Sequence, residues 1–359
     1  MAWSFQFLHL CYKLKKEIVI LKIDFEKAFD KLEHQVIIQV LRHKSFSKKW
    51  VSWIQNLLSS GSSSILLNGN LGKLFRQGDP LSPLLFVLAA DLLQSIINKA
   101  WLSRIIKHPI SDSFEGDYPI VQYADDTLLI LLGDARVLFN LKGLLRSFSD
   151  STGLHVNFAK SFLVPINVND SRATHLANTF GCKVGGMPFT YLGLPLGTTK
   201  PSLIEFTPLL TKIERRLSGI SKFLSYNGRL ILVNSVFSSL PTFYMCSLKI
   251  PPQVIKQIDI FRKHCLWSKG DINRRGSCLV AWEFACKPKD QGGLGIIDIQ
   301  SQNEALLMKF LDKFYNNHDI PWVKLTWSAF YSNNQTPPQA RSPIGSFWWK
   351  YILKLFEKF

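Results

Sequence analysis

Two short apolar runs, Pro119–Tyr123 and Thr127–Leu132, are separated only by Ala124-Asp125-Asp126. Such a pair reads as a β-hairpin that carries two adjacent acids in its turn. Upstream, the β-branched run Glu-Ile-Val-Ile-Leu-Lys-Ile-Asp-Phe at 17–25 reads as a buried strand, and it too ends in an acid, Asp24. A chain that places acids at the ends of several buried strands is committed to a sheet with its charge gathered at the strand ends.

Around these strands the pattern is helical. Asp30 with Glu33 three residues on has the form of a capping box, and it predicts one helix running toward about Leu58. Residues 62–67 followed by Asn68-Gly69 predict a strand and tight turn. Ser82 with Pro83 opens an apolar helix to about Ala100, and Asp134 opens another that Gly153 closes. Strand-like segments at 154–165 and 189–197 bracket a short helix. Beyond about residue 200 the pattern turns to helices, at Leu203–Lys222, Gly228–Ser239 and Val254–Trp267, punctuated by Pro241, Pro251 and Pro252. The organisation expected is therefore an N-terminal remnant at 1–16, a mixed α/β unit at 17–200, a helical unit at 201–315 and a tail at 316–359 without functional signal.

Charge narrows the partners. The chain has 359 residues with 43 Lys+Arg against 26 Asp+Glu, a formal +17, and its hydrophobic fraction of 47% is enough for a packed core. An excess of this size predicts a polyanionic partner, because each phosphate neutralised releases counterions. Within 201–290 there are 14 Lys+Arg and 6 Asp+Glu, so nearly half of the excess sits in a quarter of the chain. No run is expected to reach the roughly 18 apolar residues of a spanning helix, and the apolar N-terminus precedes its Lys cluster, the wrong order for a secretory signal. Six scattered cysteines suit a reducing compartment. His264, Cys265, Cys278 and Cys286 lack zinc-ligand spacing, so no zinc site is expected.

Three segments carry the chemistry: Leu-Lys-Ile-Asp-Phe-Glu-Lys-Ala-Phe-Asp ending at Asp30, Arg76-Gln77-Gly78-Asp79-Pro80-Leu81-Ser82-Pro83, and Tyr123-Ala124-Asp125-Asp126. In order and spacing they resemble motifs A, B and C of reverse transcriptases, and their wording is that of plant LINE-type (non-LTR) retrotransposons. Further matches are Gly153 to Ser161, Tyr191-Leu192-Gly193-Leu194-Pro195-Leu196-Gly197, Phe223 to Leu230, Ser239 to Met245 and Lys287 to Gly295, so the resemblance spans about 15–315. It implies an α+β fold: a right-hand polymerase palm, an antiparallel sheet with helices, followed by a basic helical thumb-like region. It also implies RNA-directed DNA synthesis with two Mg²⁺ ions (or Mn²⁺), about 3.5–4 Å apart in such sites. The implied partners are an RNA template, a DNA primer and deoxynucleoside triphosphates, with no membrane and no inferable protein partner. Nuclear action follows from the same family.

By that resemblance Asp24 and Asp125 are the principal metal ligands, Asp126 the supporting acid and Lys160 the residue that assists the leaving pyrophosphate. Phe29 matches the ring that screens the sugar 2′ position. Gln77, Gly78, Tyr123 and Ala124 line the nucleotide. Tyr191, Leu192 and Gly193 match the primer grip, and Arg215, Arg216, Lys222 and Arg229 are the basic residues expected on primer and template. Hard Mg²⁺ prefers a few carboxylates plus substrate phosphates, and three acids this close would repel without cations between them.

Taken singly, each piece has an ordinary reading. Asp suits turns, Asp24 alone is a strand-end acid, Asp30 caps a helix, Asp79 is a helix-entry residue and Lys160 a surface lysine. Their conjunction in one order is what favours the site. Two departures from the family pattern stand out. Only 23 residues precede Asp24 where relatives carry a fingers subdomain, and Gly72-Lys73-Leu74-Phe75 runs straight into Arg76-Gln77 where relatives carry a short basic insert. Both lead to the expectation of a truncated element with its site residues intact and little turnover of its own. A non-catalytic nucleic-acid-binding relic and a group II intron maturase-like splicing factor are the competing readings.

Overall fold

A computed structural model describes residues 1–26, 31–60, 66–68, 70–71, 82–110, 116–220, 224–268, 280–331 and 344–356. The chain divides into two compact units, Cys11–Met187 and a second made of Met1–Leu10 with Pro188–Phe359.

The first unit is built on a five-stranded sheet of order β4-β5-β1-β6-β7. Its centre is β1 (Ile18–Ile23), with antiparallel neighbours on both sides. β5 (Asp126–Leu132) pairs from Ile18↔Leu132 to Ile23↔Thr127, and β6 (Phe162–Ile166) from Ile18↔Ile166 to Lys22↔Phe162. β4 (Ile120–Tyr123) continues the sheet beyond β5, and the two-residue β7 (Lys183–Val184) closes the other edge in parallel. Ile18, Val19, Ile20, Leu21 and Ile23 are all buried, as a near-continuous β-branched strand covered on both faces must be.

The covering helices follow from their apolar spacing. α4 (Ser82–Leu102) turns Leu85, Phe86, Ala89, Leu93 and Ile97 into the same core as Leu21 and Leu163, and α5 (Ala135–Thr152) adds Leu138, Leu141, Leu145 and Phe148. Leu84–Leu102 is, by length and hydropathy alone, long and apolar enough to cross a membrane, which corrects the expectation that no run reaches that size. Its regular buried stripe is that of a core helix.

α5 starts where expected. The Asp134 carboxylate accepts from the Arg136 N–H at 2.7 Å, and Gly153 ends the helix with φ +77°. A Cβ on Gly153 would sit 2.2 Å from the backbone oxygen of Lys31. Gly153→Ala therefore meets both left-handed strain and a backbone clash, and is expected to lower stability by about 1–3 kcal/mol in urea denaturation.

One helix was expected from Asp30 to about Leu58; there are two, α2 (His34–His43) and α3 (Lys48–Ser60). Ser45 adopts φ +61°, its N–H and that of Phe46 donate back to Arg42 and Leu41, and the Ser47 hydroxyl accepts from the Trp50 N–H to start α3. The left-handed turn at Ser45 ends α2, and the Ser47 side chain caps the start of α3 instead of letting one helix continue. Asp30 lies outside the described residues, and Glu33, the cap residue of α2, makes no side-chain capping bond. A small hairpin, β2 (Leu66–Leu67) and β3 (Asn70–Leu71), turns at Asn68. α6 (Asp170–Phe180) is capped by Asn169 and packs on the sheet through Ala173, Leu176 and Phe180.

The second unit begins with the hairpin β8 (Phe189–Tyr191) and β9 (Leu194–Leu196), which groups with the helices after it, so the boundary falls at 187/188 instead of near 200. The helices are α7 (Thr207–Ile220), α8 (Tyr226–Leu232) running into a π-turn at Val233–Phe237, α9 (Thr242–Met245), α10 (Pro252–Trp267), α11 (Trp282–Ala285), α12 (Ile299–Tyr315), α13 (Pro321–Phe330) and α14 (Phe347–Phe356). Phe206, Ile213, Leu217, Val233, Phe237, Met245 and Ile258 form one core. Asn303 stitches it, accepting from the Ile250 N–H and donating to the carbonyls of Met245 and Leu248, each at 2.9 Å.

The segments set apart in sequence as a remnant and a tail turn out to share an aromatic layer. Phe5 and Phe310 pack against Trp348, while Phe314 stacks on Trp327 at 4.7 Å and meets Trp349 at 4.6 Å. Gln6 donates to the Thr326 hydroxyl and accepts from the Ser346 N–H. The tryptophans that carried no functional signal are core.

Candidate active site

The strand register decides which acids meet. Ile23 pairs with Thr127 in an antiparallel ladder, so the next step out places Asp24 opposite Asp126, the first residue of β5. Tyr123 pairs with that same Asp126, and Ala124-Asp125 forms the turn, with Ala124 held at φ +51°. A non-glycine residue in the left-handed region costs free energy that the pairing on either side must supply. The three acids lie toward one end of one sheet, Asp24 and Asp126 half-buried and Asp125 exposed.

The other neighbour of β1 fixes Asp24 from behind. The Asp24 N–H donates to the Ser161 hydroxyl at 3.1 Å, and the Asn157 N–H donates to the Asp24 carbonyl at 2.8 Å. Phe25 forms a β-bridge with Val156, and the Glu26 N–H donates to His155. Ser161 in turn donates to the Asn157 carbonyl at 2.8 Å. Ser161 is buried and was missed in the sequence reading, which singled out its exposed neighbour Lys160. The signal available was a small polar residue just before a buried strand. Ser161→Ala removes one acceptor from the backbone of Asp24, and a loss of about 1 kcal/mol is expected in thermal or chemical denaturation.

Lys22, two residues before Asp24 and so on the same face of β1, places its ammonium 3.4 Å from the Asp126 carboxylate and 5.8 Å from the Phe162 ring. It is a second residue that sequence reasoning did not assign. Among the described residues no three His, Cys, Asp or Glu side chains converge as a metal cage. The donor set suits a hard divalent cation, since it offers carboxylates at adjacent strand ends. The Asp126 charge is meanwhile balanced by Lys22.

The other expected site residues are distributed unevenly. Tyr123 is 66% exposed at the end of β4, and Lys160 is exposed with its N–H donated to the Asn157 side chain. Phe29, Gln77, Gly78 and Lys222 lie outside the described residues. In the second unit, Leu192 (φ +51°) and Gly193 (φ +74°) form the tip of the β8–β9 hairpin, whereas Tyr191 is wholly buried. Tyr191 therefore supports the hairpin from inside and does not present its ring to a primer. Arg229 is also corrected: it is buried and donates to the Leu266 carbonyl at 2.6 Å. Arg215 and Arg216 remain on the exposed face of α7 beside Lys212.

Comparison with known proteins identifies the family. Residues 2–196 match the family model described as reverse transcriptase (RNA-dependent DNA polymerase). An uncharacterised 149 kDa protein of transposon TX1 from Xenopus laevis is 24% identical over 344 residues, covering 90% of this chain and 24% of that protein. The Pol polyprotein of a type-2 retrotransposable element from Drosophila melanogaster is 28% identical over 345 residues, 88% of this chain and 29% of its own length. A putative ribonuclease H protein of Arabidopsis thaliana is 34% identical over 143 residues, 40% of this chain and 23% of that protein. The chain spans about a quarter of the length of each of these three relatives.

Proposed function

The chain belongs to the reverse transcriptase (RNA-dependent DNA polymerase) family, and on that premise we propose that it carries the nucleotidyl-transfer site of a non-LTR retrotransposon polymerase. The observation that carries the reading is the β1–β5 ladder ending at Ile23↔Thr127, with Asp24 and Asp126 the next residues at that end of the sheet, beside the Asp125 turn.

Asp24 and Asp125 are the principal carboxylates for divalent metal, with Asp126 in support. Mg²⁺ or Mn²⁺ held there would polarise the primer 3′-hydroxyl and neutralise the departing pyrophosphate. The residues of the chain do the positioning. Ser161 and Asn157 fix the backbone that carries Asp24. The strained Ala124 aims the turn that carries Asp125, and Lys22 neutralises Asp126 when no cation does. Tyr123 and Ala124, with Phe29, Gln77 and Gly78, are assigned to the incoming deoxynucleotide, and Lys160 to the leaving group. Leu192 and Gly193 are assigned to the primer, and Arg215 and Arg216 to phosphates of primer or template. The substrates are an RNA template, a DNA primer and deoxynucleoside triphosphates, and the site of action is the nucleus.

Primer extension on an RNA template with Mg²⁺ or Mn²⁺ tests this. Metal-dependent synthesis that vanishes in Asp125→Asn/Asp126→Asn supports the polymerase. Soluble folded protein that binds RNA equally well before and after these substitutions, and extends nothing, favours a non-catalytic binder. The Lys22–Asp126 ion pair is the observation on the side of that second reading.

A further inference from the structure

Helix α3 presents a surface that the acids do not explain. Its Val51 and Ile54 point into the core of the first unit, while Trp50 (39% exposed) and Trp53 (51%) face solvent. Phe46 before the helix and Leu57 further along continue the stripe, both exposed. The outer face of a soluble helix is ordinarily polar, and a contiguous row of large apolar side chains marks a surface that binds something. The two indoles stand edge to face with centroids 6.2 Å apart, and the Lys49 ammonium lies 5.1 Å from the Trp53 ring.

Charge selects the occupant. No Asp or Glu occurs between Glu33 and Asp79, whereas Arg42, Lys44, Lys48 and Lys49 flank the stripe. Lys44 is held by Asp91 at 2.5 Å; Arg42, Lys48 and Lys49 are exposed. Exposed aromatic faces beside exposed cations, here Lys48 and Lys49, are the two elements of single-stranded nucleic-acid binding, base stacking and phosphate neutralisation. An apolar protein partner would use the area of Phe46 and Leu57 equally well, yet it gives no reason for a rim in which Arg42, Lys48 and Lys49 outnumber the one acid, Asp91.

We propose that α3 is a stacking platform for single-stranded nucleic acid, with Trp50 and Trp53 taking bases and Lys48 and Lys49 taking phosphates. Binding here needs neither Asp24 nor the hairpin acids, so it stands or falls separately from polymerase activity.

The test is fluorescence anisotropy of the full chain with a labelled single-stranded uridine oligonucleotide, over a range of salt. Trp50→Leu/Trp53→Leu keeps apolar area but removes the ring faces, and is expected to raise Kd by about tenfold or more. Trp50→Phe/Trp53→Phe retains a ring at each position and is expected to retain most of the affinity. Lys48→Ala/Lys49→Ala is expected to reduce the slope of log K against log salt by about 1.4, at roughly 0.7 per phosphate contact. All four substituted positions are exposed, so far-ultraviolet circular dichroism is expected to stay unchanged. Repeating the titrations with Asp125→Asn/Asp126→Asn in place should give the same differences, whatever primer extension shows. Wild-type affinity in the Leu variant would overturn the platform and make the stripe a protein interface. So would a change in self-association in place of oligonucleotide affinity.

Discussion

Asp24→Asn is expected to reduce primer extension about a thousandfold, equal to roughly 4 kcal/mol of barrier, while leaving the melting temperature within a degree or so of wild type. The two halves of this expectation have different sources. The loss comes from replacing an anionic metal ligand by a neutral amide in a reaction whose catalysis is chiefly charge stabilisation and positioning. The retained stability comes from how Asp24 is held. The fixing bonds run through its backbone, from its N–H to Ser161 and to its carbonyl from Asn157, and an isosteric side chain leaves both intact. Asp126→Asn also removes the ion pair with Lys22, but that pair is partly exposed and such pairs contribute about 0–1 kcal/mol. Synthesis that survives Asp24→Asn with undiminished metal dependence would remove Asp24 from the site.

Why the acids were legible in sequence and their neighbours were not follows from the range of the interactions. Asp24, Asp125 and Asp126 sit at ends of apolar runs, and period and length locate such ends from local pattern alone. An antiparallel sheet was expected from the family resemblance, and the pairing of β1 with β5 ends at Ile23↔Thr127, next to Asp24 and Asp126. Lys22 and Ser161 gave no comparable signal. Each matters through a partner more than a hundred residues away, Asp126 and Asp24, and nothing local distinguishes them from other lysines and serines. The same limit explains Tyr191 and Arg229. Both belong to recognisable segments, but exposure is decided by tertiary packing, and packing buries them. The helix break at Ser45 is the opposite case: a local signal was present in Ser47, a capping residue three before Trp50, and the apolar periodicity of α2 and α3 outweighed it. The aromatic layer of Phe5, Phe314 and Trp349 joins the two ends of the chain, and no window along the sequence contains both.

The largest stability effect is expected at Arg262, whose side chain is completely buried in the second unit. Its guanidinium donates to the Asp259 carboxylate at 2.7 Å, to the Ser238 hydroxyl at 3.0 Å and to the Ile297 carbonyl at 2.6 Å, with the Trp282 ring 5.2 Å away. It thereby ties α10 to the residue after the π-turn and to the segment leading into α12. Burial already raises the Asp259 pKa, and the adjacent Arg262 charge and hydrogen bond oppose that rise. Arg262→Met leaves a carboxylate buried without its cation and a carbonyl without its donor, and a loss of about 3–5 kcal/mol is expected in urea denaturation. The pH dependence has a definite sign. An acid whose folded pKa lies above its unfolded value costs stability when ionised, and that cost is relieved as pH falls through the folded pKa. Removing Arg262 raises the Asp259 pKa further, so the deficit of the variant should be greatest near neutrality and shrink on acidification. Arg262→Met/Asp259→Leu removes both charges and is expected to recover much of the loss, because a buried pair replaced by apolar side chains of similar volume is often near neutral. A deficit that is independent of pH and unchanged in the double variant would mean that Arg262 acts through the volume it fills, with its charge immaterial.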